Sequence, residues 1–291
     1  MRLDLLGVRG STAAPGPEFV RYGGHTSCVA VTRDGDRCPT LVLDAGTGLR
    51  ALTGRLEGRS YDGAVLLSHL HWDHVQGLPF FAAGDRDDAR VDLYLPAQDG
   101  ASARDLLAQT LSPPAFPITP EGLRGSWTFH AWDGRSRDVE GFTVRAVDVE
   151  HKGGRTFGYR VTSGSASLAY MPDHSPTSLG PGPDGLGDRH DAALALAEGV
   201  DLLITDAQHL ASEFPAVADL GHASVEYGIA LAREARVGCL ALFHHAPART
   251  DPELDEMQRR AGLLAGPDLV VMVAREGLVL EIPGVAARAG Q

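Results

Sequence analysis

The sequence predicts an α/β domain built on two β-sheets with helices on the outside. Three observations support this fold class. Short apolar runs of strand length recur along the chain, three segments have helical periodicity, and no linker or repeat divides the 291 residues. A chain of this length can bury a core of ample size. We therefore expect residues 1–291 to form a single domain.

The predicted strands are short apolar runs, most of which end near Gly, Asp or His. Runs of this length, bounded by turn residues, are typical of buried strands. In chain order they are LDLLGV, CVAV, TLVLDAG, GAVLLSH, VDLYLP, TVRAVDVEH, FGYRVTS, SLAYMPDH, DLLITDA, CLALFHH, DLVVMVA and GLVLEI.

Helical periodicity appears in SARDLLAQTL, SVEYGIALAREA and DPELDEMQRRAGLL. Ser224 and Asp251 are suitable N-caps, and Pro252 suits the first helical position. Residues 175–192 are rich in Gly, Pro and Asp, which is typical either of a domain boundary or of a surface loop. Because candidate metal ligands lie on both sides of this segment, we interpret it as a loop.

The charge balance argues against a large nucleic-acid substrate. The formal net charge is -12 at pH 7, with 26 Lys and Arg against 38 Asp and Glu. Proteins that hold long duplexes or tRNA usually carry a basic stripe, and this sequence has no run of basic residues. We therefore expect any nucleic-acid-like substrate to be small, and no long nucleic acid as a partner.

The cysteines and the apolar segments indicate the compartment. Cys28, Cys38 and Cys239 show no CxxC spacing, which favours a reducing compartment and argues against a cysteine metal site. We find no apolar run of the length of a signal peptide or a membrane span. A cytoplasmic protein without membrane partners is expected, and a homo-oligomer is compatible with the sequence.

The segment LLSHLHWDHVQG, residues 66–77, places His69, His71, Asp73 and His74 within six positions. His69 and His71 follow an apolar strand with i, i+2 spacing, so their side chains point the same way in an extended segment. Asp73 and His74 fall where the chain should turn and project elsewhere. Four such residues fit better as two pairs, each part of the shell of one ion in a dinuclear centre, than as ordinary polar loop residues.

Further ligands must come from other strand ends. His151 ends VRAVDVEH, Asp173 ends SLAYMPD and His244 ends CLALFH. Sites on sheet proteins are usually assembled at such positions. A strand-end Asp is also a common turn residue, a lone His is often an ordinary polar residue, and His245 competes with His244 for the same role.

HxHxDH after an apolar strand, with a later His, Asp and His at strand ends, resembles the metallo-β-lactamase superfamily nearly end to end. The preceding LVLDAGTG is similar to the first motif of that family, whose Asp, here Asp44, supports the ligands. The resemblance implies an αββα sandwich of two mixed sheets with external helices, and two divalent cations bridged by Asp173. Strand register favours His244 over His245. The implied ligands are His69, His71 and His151 for one ion, and Asp73, His74 and His244 for the other.

The later segments LLITDAQH, LGHASVEYGIALAREA and LALFHHAPARTD resemble the last part of ribonuclease Z-like phosphodiesterases. In those enzymes an acidic residue and a Gly-His-Ser/Ala histidine handle protons beside the metals, and the matching positions are Asp206 and His222. A phosphodiester hydrolase must protonate its departing oxygen, and a His held by a carboxylate can do so near neutral pH. Alternatively, Asp206 is a strand-end cap and His222 a helix-entry residue. With Asp73, this pair makes up the expected catalytic set.

These residues predict a dinuclear metal-dependent hydrolase, a phosphodiesterase whose nucleophile is a metal-activated hydroxide. Two divalent cations, Asp73, Asp173 and a hydroxide leave the centre about one unit positive, which suits an anionic substrate. Zinc is the expected metal, with manganese and iron as alternatives. The basic arm with which ribonuclease Z enzymes grip tRNA has no counterpart here, which favours a small cyclic or nucleotide-like phosphodiester.

The alternatives are a ribonuclease Z-like endonuclease, a thioester, lactone or lactam hydrolase on the same fold, and a non-catalytic metal sensor. Trp72, inside the metal motif, is expected to be core or pocket wall. His174 either reaches the site or, in the simpler interpretation, faces solvent. The glycine-rich residues 8–28 resemble a segment that reaches the active site in small phosphodiesterases, although a hairpin connection also explains the glycines. Its candidate pocket residues are Arg9, Ser11, Tyr22, His25, Thr26 and Ser27.

Overall fold

Two β-sheets form the central layers of the computed structural model, which describes residues 1–282. Within that range each sheet has seven strands. Residues 283–291 of the predicted single domain lie outside the described residues. The first sheet contains β1 (Arg2–Gly7), β2 (Cys28–Thr32), β3 (Leu41–Leu43), β4 (Asp62–Leu66), β5 (Arg90–Pro96), β6 (Ser126–Trp132) and β14 (Val279–Glu281). The second contains β7 (Arg137–Val139), β8 (Phe142–Val149), β9 (Thr156–Ser163), β10 (Ala166–Met171), β11 (Leu202–Asp206), β12 (Cys239–Phe243) and β13 (Val270–Val273).

Both sheets are mixed. The first has the order β14-β1-β2-β3-β4-β5-β6 and is parallel from β3 to β6. The second has the order β13-β12-β11-β10-β9-β8-β7 and is parallel from β10 to β13. Parallel strands present their carboxyl ends at the same edge of a sheet, which is where α/β proteins usually place their sites. The segments that follow β10, β11 and β12 therefore lie at one edge of the second sheet.

The two sheets pack face to face over a shared apolar core. Leu3, Val31 and Leu43 from the first sheet and Tyr159 and Phe243 from the second belong to one cluster of buried side chains. Burial of such side chains contributes about 1.5–3 kcal/mol each relative to an exposed position. The core therefore fixes one sheet against the other, and with it the loops at their common edge.

Helices cover the outer faces of both sheets. The α-helices of the described residues are α1 (Leu52–Arg55), α2 (Trp72–Val75), α3 (Ala103–Ala108), α4 (Asp191–Ala197), α5 (Phe214–Val217), α6 (Val225–Glu234) and α7 (Asp251–Ala265). Side chains of α1 and α3 pack on the first sheet, and those of α4, α6 and α7 pack on the second. The predicted αββα sandwich of two mixed sheets is thus confirmed. In the described part of the chain, no helix combines the length and apolar character needed to cross a membrane.

The helix starts agree with the sequence prediction in one case of two. Ser224 caps α6, since its hydroxyl accepts a hydrogen bond from the Tyr227 amide at 3.1 Å. The prediction that Asp251 caps α7 was wrong. Thr250 holds that position in a capping box with Glu253, and Asp251 is the first helical residue. A neighbouring Thr and Asp are both good caps, and the Glu three residues later selects the Thr.

Residues 175–192 connect two strands of the same sheet. They run from the end of β10 through a short 3-10 helix at Pro176–Leu179 to the start of α4. Because β10 and β11 pair in parallel, this segment belongs to a crossover connection. The segment is therefore a connection within one sheet, as the loop interpretation expects.

Candidate metal centre

The structure brings all seven predicted metal ligands together at one edge of the sandwich. They come from the segment after β4, from α2, and from the ends of β8, β10 and β12. Their ligand atoms form two groups, each within 4.8 Å. The first group is His69, His71, His151 and Asp173, and the second is Asp73, His74 and His244.

Asp173 lies between the two groups. Its Oδ2 is 3.3 Å from Nε2 of His151 and 3.6 Å from Nε2 of His69. Its Oδ1 is 3.0 Å from Nε2 of His244 and 3.2 Å from Nε2 of His74. One carboxylate oxygen therefore faces each group, which is the arrangement a bridging ligand requires.

The members of each group converge on a common point. In the first, Nε2 of His151 is 3.2 Å from Nδ1 of His71. In the second, Oδ2 of Asp73 is 3.1 Å from Nε2 of His244 and 3.2 Å from Nε2 of His74. His69 and His71 belong to the first group and Asp73 and His74 to the second, as the pairing within HxHxDH predicts.

Hydrogen bonds behind the histidines orient their rings. The Nδ1–H of His151 donates to the carbonyl of Gly221 at 2.8 Å, and Nδ1 of His74 donates to Oδ2 of Asp44 at 2.8 Å. Nδ1 of His69 lies 3.0 Å from the hydroxyl of Ser68. A neutral imidazole whose Nδ1 carries the proton offers Nε2 as a lone-pair donor, which is the form that binds metals.

Asp44 is the hub of this supporting network. It is fully buried and accepts hydrogen bonds from the amide and hydroxyl of Ser68 at 2.6 and 2.9 Å and from the Tyr170 hydroxyl at 2.8 Å. Its backbone φ of 59° is the left-handed conformation, which Asp adopts more readily than most residues. Its position matches the supporting role that the family resemblance implies.

Changing Asp44 to Asn is expected to lower metal affinity by about 10–100-fold. The amide NH2 of Asn cannot accept the hydrogen bonds of His74 and Tyr170, so the His74 ring loses its orientation. Competition with a chromogenic chelator measures the affinity. Asp251→Asn, which alters a buried carboxylate outside the centre, is the matched control and is expected to retain wild-type affinity. Unchanged affinity in Asp44→Asn would contradict the supporting role.

The histidines of the first group are held neutral. Burial lowers the pKa of His69 well below its ordinary value and also lowers the pKa values of His71 and His151. Neighbouring imidazoles add to the effect, because two protonated rings repel each other. Metal binding requires deprotonated nitrogens, so these three side chains already have the correct protonation state.

The carboxylates of the centre are held ionised. Burial alone would raise the pKa values of Asp73 and Asp173, but the surrounding histidines hold both below the ordinary range. The same attraction raises the pKa of His74 well above its usual value, although burial alone would lower it. The two ionised carboxylates thus place negative charge where a cation would bind.

Several buried polar atoms in the centre suit a cation. Nε2 of His69, Nε2 of His74 and Oδ1 of Asp173 are inaccessible to water and have no hydrogen-bond partner of good geometry among the described residues. An unsatisfied buried polar atom costs about 1–3 kcal/mol. Lone pairs that converge without donors are explained by a positive ion, and the His/Asp donor set suits a divalent one.

Asp206 and His222 form a hydrogen-bonded pair beside the two groups. Nδ1 of His222 is 2.9 Å from Oδ2 of Asp206, and its ring stacks on His244 with centroids 4.9 Å apart. Asp206 is fully buried and also accepts from the amides of His174 and Gln208 at 3.2 and 3.0 Å. The structure therefore places the predicted pair in contact and next to the predicted ligands.

The Asp206 contact changes the acidity of His222. Burial alone would lower the pKa of His222, but the charge of Asp206 and its hydrogen bond outweigh burial and raise it to about 9. His222 is also close enough to Asp173 and His244 to complete a third group of possible ligands. The sequence did not indicate that His222 could also be a metal ligand.

His244, and not His245, faces the centre. Nε2 of His245 lies 2.7 Å from the carbonyl of Ala274, so its ring points to the other side of the strand end. Gly10 packs against the His244 ring, and a Cβ there would lie 2.3 Å from Nδ1 of His244. The glycine thus leaves the space that the His244 side chain occupies.

His174 neither reaches the ligands nor faces solvent, so the solvent-facing interpretation was wrong. The residue is fully buried, and its Nε2 is 3.0 Å from the Tyr227 hydroxyl. Burial lowers its pKa to about 3. Its backbone amide binds Asp206, so it contributes to the position of the Asp206–His222 pair.

The N-terminal segment reaches the centre through fewer residues than the sequence suggests. The Ser11 amide donates to Oδ2 of Asp73 at 2.8 Å, and His25 lines a neighbouring cavity. Arg9 is buried and binds the carbonyls of Gly23 and Arg249 at 2.7 and 2.6 Å, so it does not line a pocket. Tyr22 is directed to Asp255, and Thr26 and Ser27 are buried.

Two functional contacts were missed by sequence reasoning because they use backbone atoms. These are the amide of Ser11 on Asp73 and the carbonyl of Gly221 on His151. The side-chain amide of Gln208, 3.2 Å from Nδ1 of His244, was also missed. Both Gly221 and Gln208 lie within the segments that carry the family resemblance, which is the one signal that could have identified them.

Comparisons with known proteins show the family to which the chain belongs. A family model described as Beta-lactamase superfamily domain matches residues 40–245. The chain is 25% identical over 303 residues to a ribonuclease Z of Salinibacter ruber, with 90% of each chain covered. It is 28% identical over 170 residues to a ribonuclease Z of Natronomonas pharaonis, and that match covers 57% of this chain and about half, 49%, of the relative.

A solved structure has the same fold. The metallo-β-lactamase fold protein YhfI from Bacillus subtilis aligns with a TM-score of 0.71 and 20% identity, covering 96% of this chain and 99% of YhfI. The matched family region contains the HxHxDH segment and ends at His245, so it includes both groups of ligands. Together these observations identify a metal-dependent hydrolase of the metallo-β-lactamase fold that belongs to the β-lactamase superfamily.

Proposed function

We propose that the protein is a phosphodiesterase with two metal ions that hydrolyses a small, cyclic or nucleotide-like phosphodiester. The observation that carries this proposal is the Asp206–His222 pair, hydrogen-bonded at 2.9 Å beside the two groups of ligands. Hydrolysis of a phosphodiester expels an alkoxide, which needs a proton. A thioester expels a thiolate, a stable anion that departs without a proton. Lactone and lactam opening also needs a proton, and against these substrates the proposal rests on the resemblance of the segments around Asp206 and His222 to ribonuclease Z-like phosphodiesterases.

In this proposal the two groups of side chains hold one divalent cation each. His69, His71 and His151 would hold the first, Asp73, His74 and His244 would hold the second, and Asp173 would contribute to both. When bound, such a pair polarises the phosphoryl group and lowers the pKa of bound water toward about 7. Zinc is the metal we favour, with manganese and iron as alternatives, because His/Asp sites accept all three.

The protein groups then have separate tasks. His222 donates a proton to the departing oxygen, and the hydrogen bond to Asp206 keeps Nδ1 protonated and Nε2 directed to the centre. The amide of Ser11 holds Asp73 in place. General acid catalysis of this kind typically contributes about 10²–10⁴-fold to the rate.

The size of the substrate is inferred from charge and from the cavity. The cavity above the centre has a volume of about 360 Å³ and is lined by residues that include Ser11, Trp72 and His222. That volume suits a small molecule. A net charge of -12 and the absence of a basic run in the sequence make a long polyanion a poor candidate substrate. We also place the protein in the cytoplasm, which the free cysteines among the described residues support.

The curated relatives support a second candidate function. The relatives from Salinibacter ruber and Natronomonas pharaonis are both ribonuclease Z enzymes, which supports a ribonuclease Z-like endonuclease as the alternative. Both functions use the same centre and the same bond chemistry. They differ in whether a folded RNA can approach it.

Parallel hydrolysis assays test the proposal. Protein loaded with zinc, manganese or iron is given bis-p-nitrophenyl phosphate, a 3′,5′-cyclic nucleotide, a precursor tRNA, an acyl thioester and a chromogenic lactam. We expect metal-dependent turnover of the two small phosphodiesters, with kcat/KM at least about 100-fold above that for the thioester and lactam. Absence of phosphodiester turnover with every metal would refute the proposal, and preference for precursor tRNA would favour the alternative.

A further inference from the structure

A cavity of about 700 Å³ adjoins the metal centre and is walled mainly by apolar side chains. We name it the apolar groove and define it by Trp72, Leu78, Phe80, Leu111 and Phe116. Its volume is within the range of cavities that bind small organic ligands. The reaction at the metal centre does not itself require an apolar surface, so the groove needs a separate explanation.

The apolar groove and the cavity above the centre share a wall residue. Trp72 lines both the groove and the smaller cavity, whose other walls include Asp73, Asp173 and His222. Trp72 is also the residue between two predicted ligands of the HxHxDH motif. A substituent on a phosphate at the centre would therefore reach the groove beside the indole ring.

Two aromatic rings of the groove are exposed. Trp72 is 70% exposed and Phe80 is 60% exposed, so the alternative that Trp72 belongs to the core was wrong. Phe80 makes an edge-on contact with Phe116, with ring centroids 6.0 Å apart. Aromatic faces left open to solvent next to a cavity are suited to stacking with a planar ring.

Polar groups at the rim of the groove complement such a ring. Gln76, Gln109 and Thr110 offer amide and hydroxyl groups, and Arg50 adds a positive charge. Sites that bind organic ligands commonly combine an apolar wall with a few polar groups that fix orientation. The combination fits a planar ring with hydrogen-bonding edges better than an alkyl chain.

We propose that the apolar groove binds a planar aromatic ring on the substituent that the phosphodiester retains, and that Trp72 and Phe80 determine this specificity. The inference rests on the proposed function and adds the class of substrate. The retained substituent is assigned to the groove because His222, the donor to the leaving oxygen, lines the central cavity and not the groove. The ring is either a nucleobase or a simple aryl group.

Three diesters with the same leaving group test this assignment. They are methyl p-nitrophenyl phosphate, bis-p-nitrophenyl phosphate and the p-nitrophenyl ester of thymidine 5′-monophosphate. All release p-nitrophenolate, so they differ only in the retained substituent. The readout is kcat/KM for each ring-bearing ester divided by kcat/KM for the methyl ester, measured on the metal-loaded protein.

We expect this ratio to fall about tenfold in Trp72→Ala and in Phe80→Ala. Leu263→Ala, which removes an equally exposed apolar side chain from α7, is the matched control and is expected to keep the wild-type ratio. Because Trp72 and Phe80 are mostly exposed, truncation should have little effect on folding. Phe80 lies outside the metal motif, so its variant does not disturb the ligands, and metal content is measured for both.

Each outcome has a defined meaning. If the ratio falls for both ring-bearing esters, the groove binds any planar ring. If the ratio falls only for the thymidine ester, the groove binds a nucleobase. Both results support the proposal. A ratio equal to wild type in Phe80→Ala overturns the proposal. An equal loss with all three esters also overturns it, since the leaving ring would then occupy the groove. If wild-type protein hydrolyses none of them, the proposed function fails and the groove assignment fails with it.

Discussion

Replacement of Asp173 by alanine is expected to reduce metal content from two ions per chain to one or none, and phosphodiester turnover to below about 1% of wild type. The reason is the position of the carboxylate, whose two oxygens face different groups at 3.0–3.6 Å. Loss of a group behind a ligand already costs about 10–100-fold in affinity or activity. Loss of the residue shared by both groups should cost more.

The measurement is metal content by plasma emission spectroscopy, combined with hydrolysis of bis-p-nitrophenyl phosphate. Asp173→Asn keeps the shape of the side chain and removes its charge. It therefore tests whether metal binding depends on the charge of Asp173 or only on the volume of its side chain. Asp251→Asn is the control for loss of a buried carboxylate elsewhere in the fold. An Asp173→Ala protein that keeps two ions and wild-type turnover would exclude a bridging role.

The histidine motif could be predicted from sequence because its geometry is local. Strand β4 ends just before His69, so the spacing of His69 and His71 determines that they share a direction, and the turn into α2 sends Asp73 and His74 elsewhere. No distant part of the chain is needed for that conclusion. The division into two groups follows from residues 66–77 alone.

The more distant ligands could be predicted only as candidates. A His or Asp at a strand end is common, and nothing in VRAVDVEH or SLAYMPD specifies which other strand end it meets. The family resemblance supplied that information by fixing the order of the strands. For His244 and His245 the strand register favoured His244, because successive side chains of a strand point to opposite faces. The left-handed φ of 58° at His244 is a local feature that composition and periodicity do not encode.

Two of the edge strands and the exposed rings were harder to predict, because their exposure depends on where they lie in the fold and not on the local sequence pattern. Strand β6, SWTFHAW, lies at a sheet edge and is half exposed, so it lacks the apolar run that marks a buried strand. The three-residue β7 is an edge strand of the other sheet. Trp72 is similar, since an aromatic residue is more often buried than not, and its exposure depends on the neighbouring cavity.

Replacement of His222 by alanine is expected to lower kcat/KM for a 3′,5′-cyclic nucleotide by about 10²–10⁴-fold. The effect on bis-p-nitrophenyl phosphate should be much smaller. A cyclic nucleotide expels an alkoxide, which must be protonated as it leaves, whereas p-nitrophenolate is a stable anion that departs without a proton. The leaving group therefore reports directly on whether His222 acts as a proton donor.

The same experiment separates this role from metal binding. His222 lies near Asp173 and His244, so it is placed to act as a ligand instead. A ligand would affect both substrates to a similar degree, and its removal would lower the metal content. His130→Ala is the matched control, because His130 pairs with Asp92 at 3.1 Å but lies outside the centre. Equal losses on both substrates, with loss of metal, would reject the proton-donor role.

Asp206→Asn tests the role of the second member of the pair. The hydrogen bond between Asp206 and Nδ1 of His222 keeps the proton on Nδ1 and stabilises the charged ring, which raises the pKa of His222. Asn lacks the charge, so less of the protonated donor is present at neutral pH. We expect kcat/KM to fall more for the 3′,5′-cyclic nucleotide than for bis-p-nitrophenyl phosphate, as in His222→Ala, but by a smaller factor. The metal content should be unchanged. Because Asp206 acts through His222, the double variant should be no slower than His222→Ala alone, and fully additive losses would show that the two residues work independently.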